Sequence, residues 1–222
     1  MDTVMVRTFA APPVNRSEIL RYACCAMSSP EEDALVDACL REAEAVLEYR
    51  VIWCRGPLKD TGESLQFGFA ETASRDLRRA LGGCDSWIAF GATLGLGLDR
   101  LIARAGSTEP AKALIYQAIG AERIEALCEA FCDECAEEAK KSGGYLTPRF
   151  SPGYGDLPLE FQKDLFALLG GQQIGLTLGS SLLMSPSKSV TALMGIAENP
   201  AAHAPERCRS CFMKNCAYRR KE

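Results

Sequence analysis

The sequence predicts an α+β domain with a mainly antiparallel twisted sheet and packed helices. Two observations carry that prediction. The 222 residues mix short strand-like apolar runs with segments of helical period, and the two kinds do not alternate regularly, as a parallel sheet with crossover helices would require. No internal repeat is visible. Hydrophobic residues make up 47% of the chain and charged residues 24%, an ordinary globular balance at a length that can bury a core. One domain is expected over residues 1–197, followed by a polar, cysteine-containing tail over 198–222.

The elements follow in order. Asn15 and Glu18 have capping-box spacing ahead of "ILRYACCAM", a short helix. Ser28, Ser29 and Pro30 break the chain and prepare a helix over 31–48, whose Leu35, Cys39 and Val46 track one face. "YRVIWCR" reads as a strand and "SLQFGFA" as its partner across the turn at 59–62. Ser74 caps the short helix "RDLRRALGG", which ends in a glycine pair. "SWIAFGATLG" is the next strand and leads into a helix through 98–105; 109–140 is one long helix or two abutting ones. A helix over 157–169 places Leu157, Phe161, Leu165 and Leu168 on one face and stops at Gly170 and Gly171. "QIGLTLG", "SLLM" and "SVTALMGI" follow as strands, with "SPSK" turning between the last two.

Charge excludes some classes of function. With 25 basic and 29 acidic residues the formal net charge is -4, and no basic stripe suggests nucleic acid. No apolar run reaches the roughly eighteen residues of a spanning helix, and the N-terminus lacks a signal-peptide pattern. A cytoplasmic protein without a membrane partner is expected, and its 11 cysteines are then thiols or ligands rather than disulfides.

The stretch "RFSPGYGD", residues 149–156, carries more chemistry than a connector needs. Arg149 offers a planar fork of donors suited to a carboxylate or phosphate. Gly153 and Gly155 permit positive φ or close approach of a ligand to the backbone. Tyr154 offers a flat face of the kind cations favour. Asp156 stands where a helix N-cap belongs, with Pro158 in the first turn. The competing reading makes Arg149 a structural ion pair and Tyr154 a core residue.

Other clusters are read in the same two ways. Cys208, Cys211 and Cys216 have C-x2-C-x4-C spacing, which can grip zinc or an iron–sulfur cluster with a fourth ligand from Cys54, Cys84, His203 or a partner. Basic neighbours Arg207, Arg209 and Lys214 favour thiolates there, and free thiols are the alternative. Cys128, Cys132 and Cys135 share one face of the long helix, and small apolar packing is the simpler account. Gly91, Gly95 and Gly97 lie in "GATLGLGLDR" without the Lys-Ser/Thr of a phosphate loop, which points to close packing. Asp99 and Arg100 read as a helix face or local ion pair. Lys188 is either a surface turn lysine or a group for an anionic ligand.

"RFSPGYGDLPLEFQ" and "MSPSKSVTALMGI" together resemble two segments of the activation domain of cobalamin-dependent methionine synthase, and the resemblance extends loosely over residues 15–196. It is closest to small standalone members of that family. The resemblance implies that the segment binds S-adenosylmethionine: Arg149 would grip its carboxylate, the backbone of Ser151, Pro152 and Gly153 would line the ligand, and Tyr154 would shape the pocket. It implies reductive methylation of cobalamin on a separate methionine synthase or related corrinoid methyltransferase, with an electron from a flavodoxin- or ferredoxin-like donor. Such a domain binds and orients while the cofactor carries the chemistry, so no catalytic side chain is expected. The only histidine, His203, lacks the Asp-x-His-x-x-Gly context of a corrinoid ligand, so the cobalamin must arrive on a partner. The cysteine tail also supports an alternative: a metal- or iron–sulfur-binding electron-transfer or adaptor protein that no longer takes S-adenosylmethionine.

Overall fold

The computed structural model describes residues 3–24 and 29–198. Its elements run β1 (Met5–Thr8), α1 (Arg16–Tyr22), α2 (Pro30–Glu44), β2 (Arg50–Pro57), β3 (Lys59–Asp60), β4 (Leu65–Gln66), β5 (Glu71–Thr72), α3 (Arg75–Ala80), β6 (Cys84–Thr93), α4 (Leu96–Thr108), α5 (Pro110–Lys141), β7 (Tyr145–Leu146), α6 (Phe161–Leu169), β8 (Thr177–Leu178), β9 (Met184–Ser185) and β10 (Ser189–Ala197). The main sheet has the order β1-β2-β6-β10-β7, and every pair in it is antiparallel. The expected α+β class with its antiparallel sheet is therefore the observed one.

The capping signals mark the helix starts. Asn15 Oδ1 accepts from the Glu18 N–H, Ser29 and Glu32 form a reciprocal capping box, and Ser74 Oγ accepts from the Leu77 N–H. The long helix is single, 32 residues from Pro110 to Lys141. It lies on one face of the sheet, where Ile124, Leu127 and Phe131 pack with Val51, Phe90, Ala192 and Met194. Burying each large apolar side chain there is worth about 1.5–3 kcal/mol. On the opposite face α6 supplies Phe161, Leu165 and Leu169 against Ile52, Ala89 and Leu193. A third cluster joins α1, α2, α4 and the first half of α5 through Ile19, Val36, Cys39, Leu98 and Ile119.

Four expectations are corrected. The partner of β2 is β6, not the 64–70 run, because Gly68 at φ +82° closes a turn in which the Phe67 N–H donates to Ala70 O at 2.9 Å. Only Leu65 and Gln66 remain extended, in a small sheet with β3 and β5. Helix α2 ends at Glu44 rather than 48, since the Glu48 N–H is taken by Leu94 O at the end of the sheet. Helix α6 begins at Phe161, four residues later than expected. "QIGLTLG" opens inside a 3-10 turn, Gly171–Ile174, and only Thr177 and Leu178 of it are strand, as β8 in a two-residue ladder with β9. Strands β1 and β7 are additions: β1 is exposed at all four positions and shows no alternation, and β7 has only two residues.

Glycine spacing in "GATLGLGLDR" reflects close packing. A Cβ on Gly97 would stand 2.7 Å from Val46 Cβ, and one on Gly91 would stand 3.3 Å from both Ile52 and Leu176. Among the described residues, no helix is long and apolar enough to cross a membrane.

Candidate functional site at Arg149

The Arg149 motif begins where a strand peels away from β10. Phe150 and Leu193 exchange two main-chain hydrogen bonds of 2.8 Å, and the Phe150 ring packs with the α6-side cluster. Successive side chains in an extended segment face opposite ways, so Arg149 points to the α5 side. There its Nη2 donates to the Glu125 carboxylate. The Arg149 side chain is only 10% exposed. Its Nη1 is buried and has no hydrogen-bond partner among the described residues. Burial opposes the charge, but the neighbouring sulfurs of Cys128 and Cys132 and the Glu125 carboxylate outweigh it, and the guanidinium pKa is raised overall. Tyr22, at the end of α1, is near enough that the Glu125 charge adds to burial in raising its phenol pKa.

The turn that follows is tied together by its own backbone. The Tyr154 N–H donates to Ser151 O at 3.2 Å, the Gly153 N–H to Leu157 O at 3.0 Å, and the Leu157 N–H to Tyr154 O at 3.1 Å. Gly153 (φ +86°) and Gly155 (φ +53°) supply the left-handed conformations this path needs. Pro152 is buried, Ser151 half-buried and Gly153 exposed. Tyr154 is 67% exposed and is not the core residue of the competing reading. Arg149 does make an ion pair, as that reading has it, but the pair engages only part of its fork.

Asp156 corrects the sequence expectation. Instead of capping the helix that follows, its carboxylate accepts from Ser74 Oγ and from the N–H groups of Arg75 (2.8 Å) and Asp76 (3.1 Å), at the start of α3. With Asp156 committed elsewhere, Pro158 stays outside α6, which starts without a side-chain cap.

Lys188 lies half-buried with its stem against Gly120, where a glycine Cβ would come within 2.8 Å of the lysine Cγ and Cε. Burial lowers its pKa, and the Asp99 charge works against that shift. Asp99 receives the Ser187 N–H (2.8 Å) and Oγ, so it anchors the "SPSK" turn to α4. Cys128 and Cys135 are buried, and Cys132 Sγ sits 3.5 Å from Met194 Sδ, which matches the packing account of that face. Cys208, Cys211, Cys216 and His203 lie outside the described residues. Among the described residues, no three His, Cys, Asp or Glu side chains are grouped to hold a metal ion.

Sequence reasoning did not single out Glu125. It is one of several acidic residues on α5, and nothing local distinguishes it from the others. It also missed the buried pair Glu122–Arg123. There the Arg123 guanidinium donates to the carbonyls of Pro12 (2.6 Å) and Pro13 (2.7 Å), while Glu122 accepts from the Asn15 N–H (3.0 Å). A cleft of about 530 Å³ lies elsewhere, between the C-terminal end of α5 and the sheet, and the Arg149 motif does not line it.

No family model and no curated protein matches the sequence. Among solved structures, the chain is similar to a crystal structure of the MetH reactivation domain bound to AdoHcy. The TM-score is 0.62 with 17% identity, over 87% of this chain and 78% of that one. The likeness establishes the fold: this α+β chain, with its antiparallel sheet and packed helices, has the architecture of the MetH reactivation domain.

Proposed function

We propose that the chain binds S-adenosylmethionine at the Arg149 turn and supports reductive methylation of a corrinoid carried by a separate methionine synthase or related corrinoid methyltransferase. One observation carries the reading: a nearly buried arginine keeps an unpartnered Nη1 beside a glycine turn whose sequence is that of the resemblance. A buried donor left unmatched is costly, and a ligand carboxylate would satisfy it through a charge-assisted bond. The MetH domain of the same fold, bound to AdoHcy, supports the same ligand class.

In this reading the chain binds and orients. Glu125 fixes one edge of the Arg149 fork and leaves the other for the ligand carboxylate. The backbone of Ser151, Pro152 and Gly153 lines the ligand, and the exposed Tyr154 shapes its open side. Asp156 braces the turn against α3. The partner's corrinoid, reduced by one electron from a flavodoxin- or ferredoxin-like donor, takes the methyl group and leaves S-adenosylhomocysteine. A mixing experiment tests this with an oxidatively inactivated corrinoid protein, a reductant and methyl-labelled S-adenosylmethionine. The chain should accelerate transfer of label to cobalt; equal rates with and without it would refute the reading.

A further inference from the structure

Helix α5 fills the space above the sheet along only part of its length. The Phe131 ring meets those of Trp53 and Phe90, at centroid distances of 5.3 and 5.0 Å. The positions that follow on the same face are Cys135, Ala139 and, just past the helix end, Ser142. Opposite them the sheet presents Trp53, Ile88 and Ile196. Three small side chains cannot span the gap that Phe131 spans, so helix and sheet part there and leave the cleft of about 530 Å³. Met5 of β1 also lines it and is 42% exposed. Covering such a wall takes apolar surface out of water, which favours an occupant.

Place and charge identify one. Ile196 lines the cleft, and the described chain ends two residues later, at Glu198. Residues 199–222, which lie outside the described residues, therefore start at its mouth. The stretch from Glu198 to Phe212 can extend up to about 45 Å, so reach is no obstacle. That segment carries six basic and two acidic residues, which leaves 19 basic and 27 acidic in the rest of the chain. Its large apolar side chains are Phe212, Met213 and Tyr218, and Arg207, Arg209 and Lys214 stand near the first two. On the helix side of the cleft, Asp133, Glu134, Glu137 and Glu138 precede Lys140 and Lys141, and Glu138 is part of the lining. Glu134 is paired with Arg7, and Arg55 lies on the sheet side of the mouth, so the acidic rim belongs to α5. Opposite charges on rim and segment favour their approach and set its direction.

We propose that residues 207–214 of this chain fold back over the end of α5. Phe212 and Met213 fill the cleft, and Arg207, Arg209 and Lys214 lie along the acidic rim. The Arg149 motif does not line this cleft, so the proposal is independent of the S-adenosylmethionine reading. It also brings Cys208 and Cys211 to the C-terminal end of α5.

The test uses the full chain with labelled methyl groups. Nuclear Overhauser contacts should join the Phe212 ring to the methyl groups of Ile88 and Ile196. In a mixture of labelled and unlabelled copies those contacts should stay within one chain. Replacing both apolar residues, Phe212→Ser with Met213→Ser, alters no described residue. It should shift the Ile88 and Ile196 methyl signals and leave that of Ile52, on the other face of the sheet, in place. Tryptic cleavage after Arg209 should become roughly tenfold faster in the double variant, because a docked segment must open before it is cut. No contact from Phe212 to the cleft, or a cleavage rate that the double substitution leaves unchanged, overturns the proposal. Contacts found only between chains overturn it in favour of a second copy as the occupant.

Discussion

Asp156 and Ser74 are joined side chain to side chain across 82 positions of sequence, so the last residue of the Arg149 turn secures the first turn of α3. Ser74 Oγ also accepts from the Leu77 N–H, and the Asp156 carboxylate takes the N–H groups of Arg75 and Asp76. The free donors of α3 thus hold the turn in place.

This arrangement predicts a pH dependence. The Ser74 hydroxyl, then the Arg75 N–H, holds the Asp156 carboxyl below its usual range. A group with a depressed folded-state pKa contributes stability that is present above its unfolded value of about 3.9 and is lost as pH falls through the folded one. Asp156→Ala should lower the melting temperature at pH 7, and the gap from the unaltered protein should close as pH falls below about 4. A gap that persists unchanged in acid would show that the carboxylate charge is not the source.

Gly155 is the second support of the same turn. It adopts φ +53°, and a Cβ added there would stand 2.9 Å from Asp76 Cβ. Gly155→Ala should destabilise by about 1–3 kcal/mol through crowding and left-handed strain. At Gly153 an added Cβ meets only Leu159, at 3.4 Å, so Gly153→Ala should cost less, through its φ of +86° alone. Urea denaturation of the two variants measures the difference.

Arg149 should separate ligand binding from folding. Its partner Glu125 is 33% exposed, so after Arg149→Ala the carboxylate can be hydrated, and the loss of stability should be modest. Affinity for S-adenosylhomocysteine should fall by roughly 10–100-fold, the worth of a charge-assisted hydrogen bond. Arg149→Lys keeps the charge but loses the fork, and should not restore full affinity. Calorimetry with both variants checks this, and unchanged affinity would remove Arg149 from the site.

Particular residues show what the sequence could reveal. Asn15, Ser29 and Ser74 announced their helices because a cap acts on N–H groups two or three residues away. The glycine pair at 170–171 marked the end of α6 for a similarly local reason. Asp156 misled because its partners lie about 80 residues earlier, and a cap-like residue does not reveal which helix it serves. Glu125 and Arg123 find their partners through the way α5 sits against distant segments, which no local spacing encodes. The 64–70 strand failed through Gly68, whose left-handed φ turned a hydrophobic run into a corner.

The Glu122–Arg123 pair predicts a large stability effect away from the candidate site. Arg123 is fully buried, and Glu122 is 4% exposed. The guanidinium meets the carboxylate and two proline carbonyls, so it fastens the 12–13 segment to α5. Arg123→Ala would leave a buried carboxylate without its counter-charge and two carbonyls without donors. A loss of about 3–5 kcal/mol is expected by chemical denaturation.

Thiol reactivity offers a last test, of the core itself. Burial is the leading cause that raises the thiol pKa of Cys84, to about 11, and of Cys135, to about 12. It likewise raises those of Cys39 and Cys128. Cys24, by contrast, is exposed. A thiol with a raised pKa is almost wholly protonated near pH 8, and the thiolate is the nucleophile. In a variant with Cys25, Cys208, Cys211 and Cys216 replaced by serine, an aromatic disulfide reagent at pH 8 should modify Cys24 rapidly. Cys39, Cys128 and Cys135, which are buried, should react only on denaturation, and the half-buried Cys84 should react more slowly than Cys24. Rapid native labelling of Cys128 would mean that the α5 face beside Arg149 is open to solvent rather than packed on the sheet.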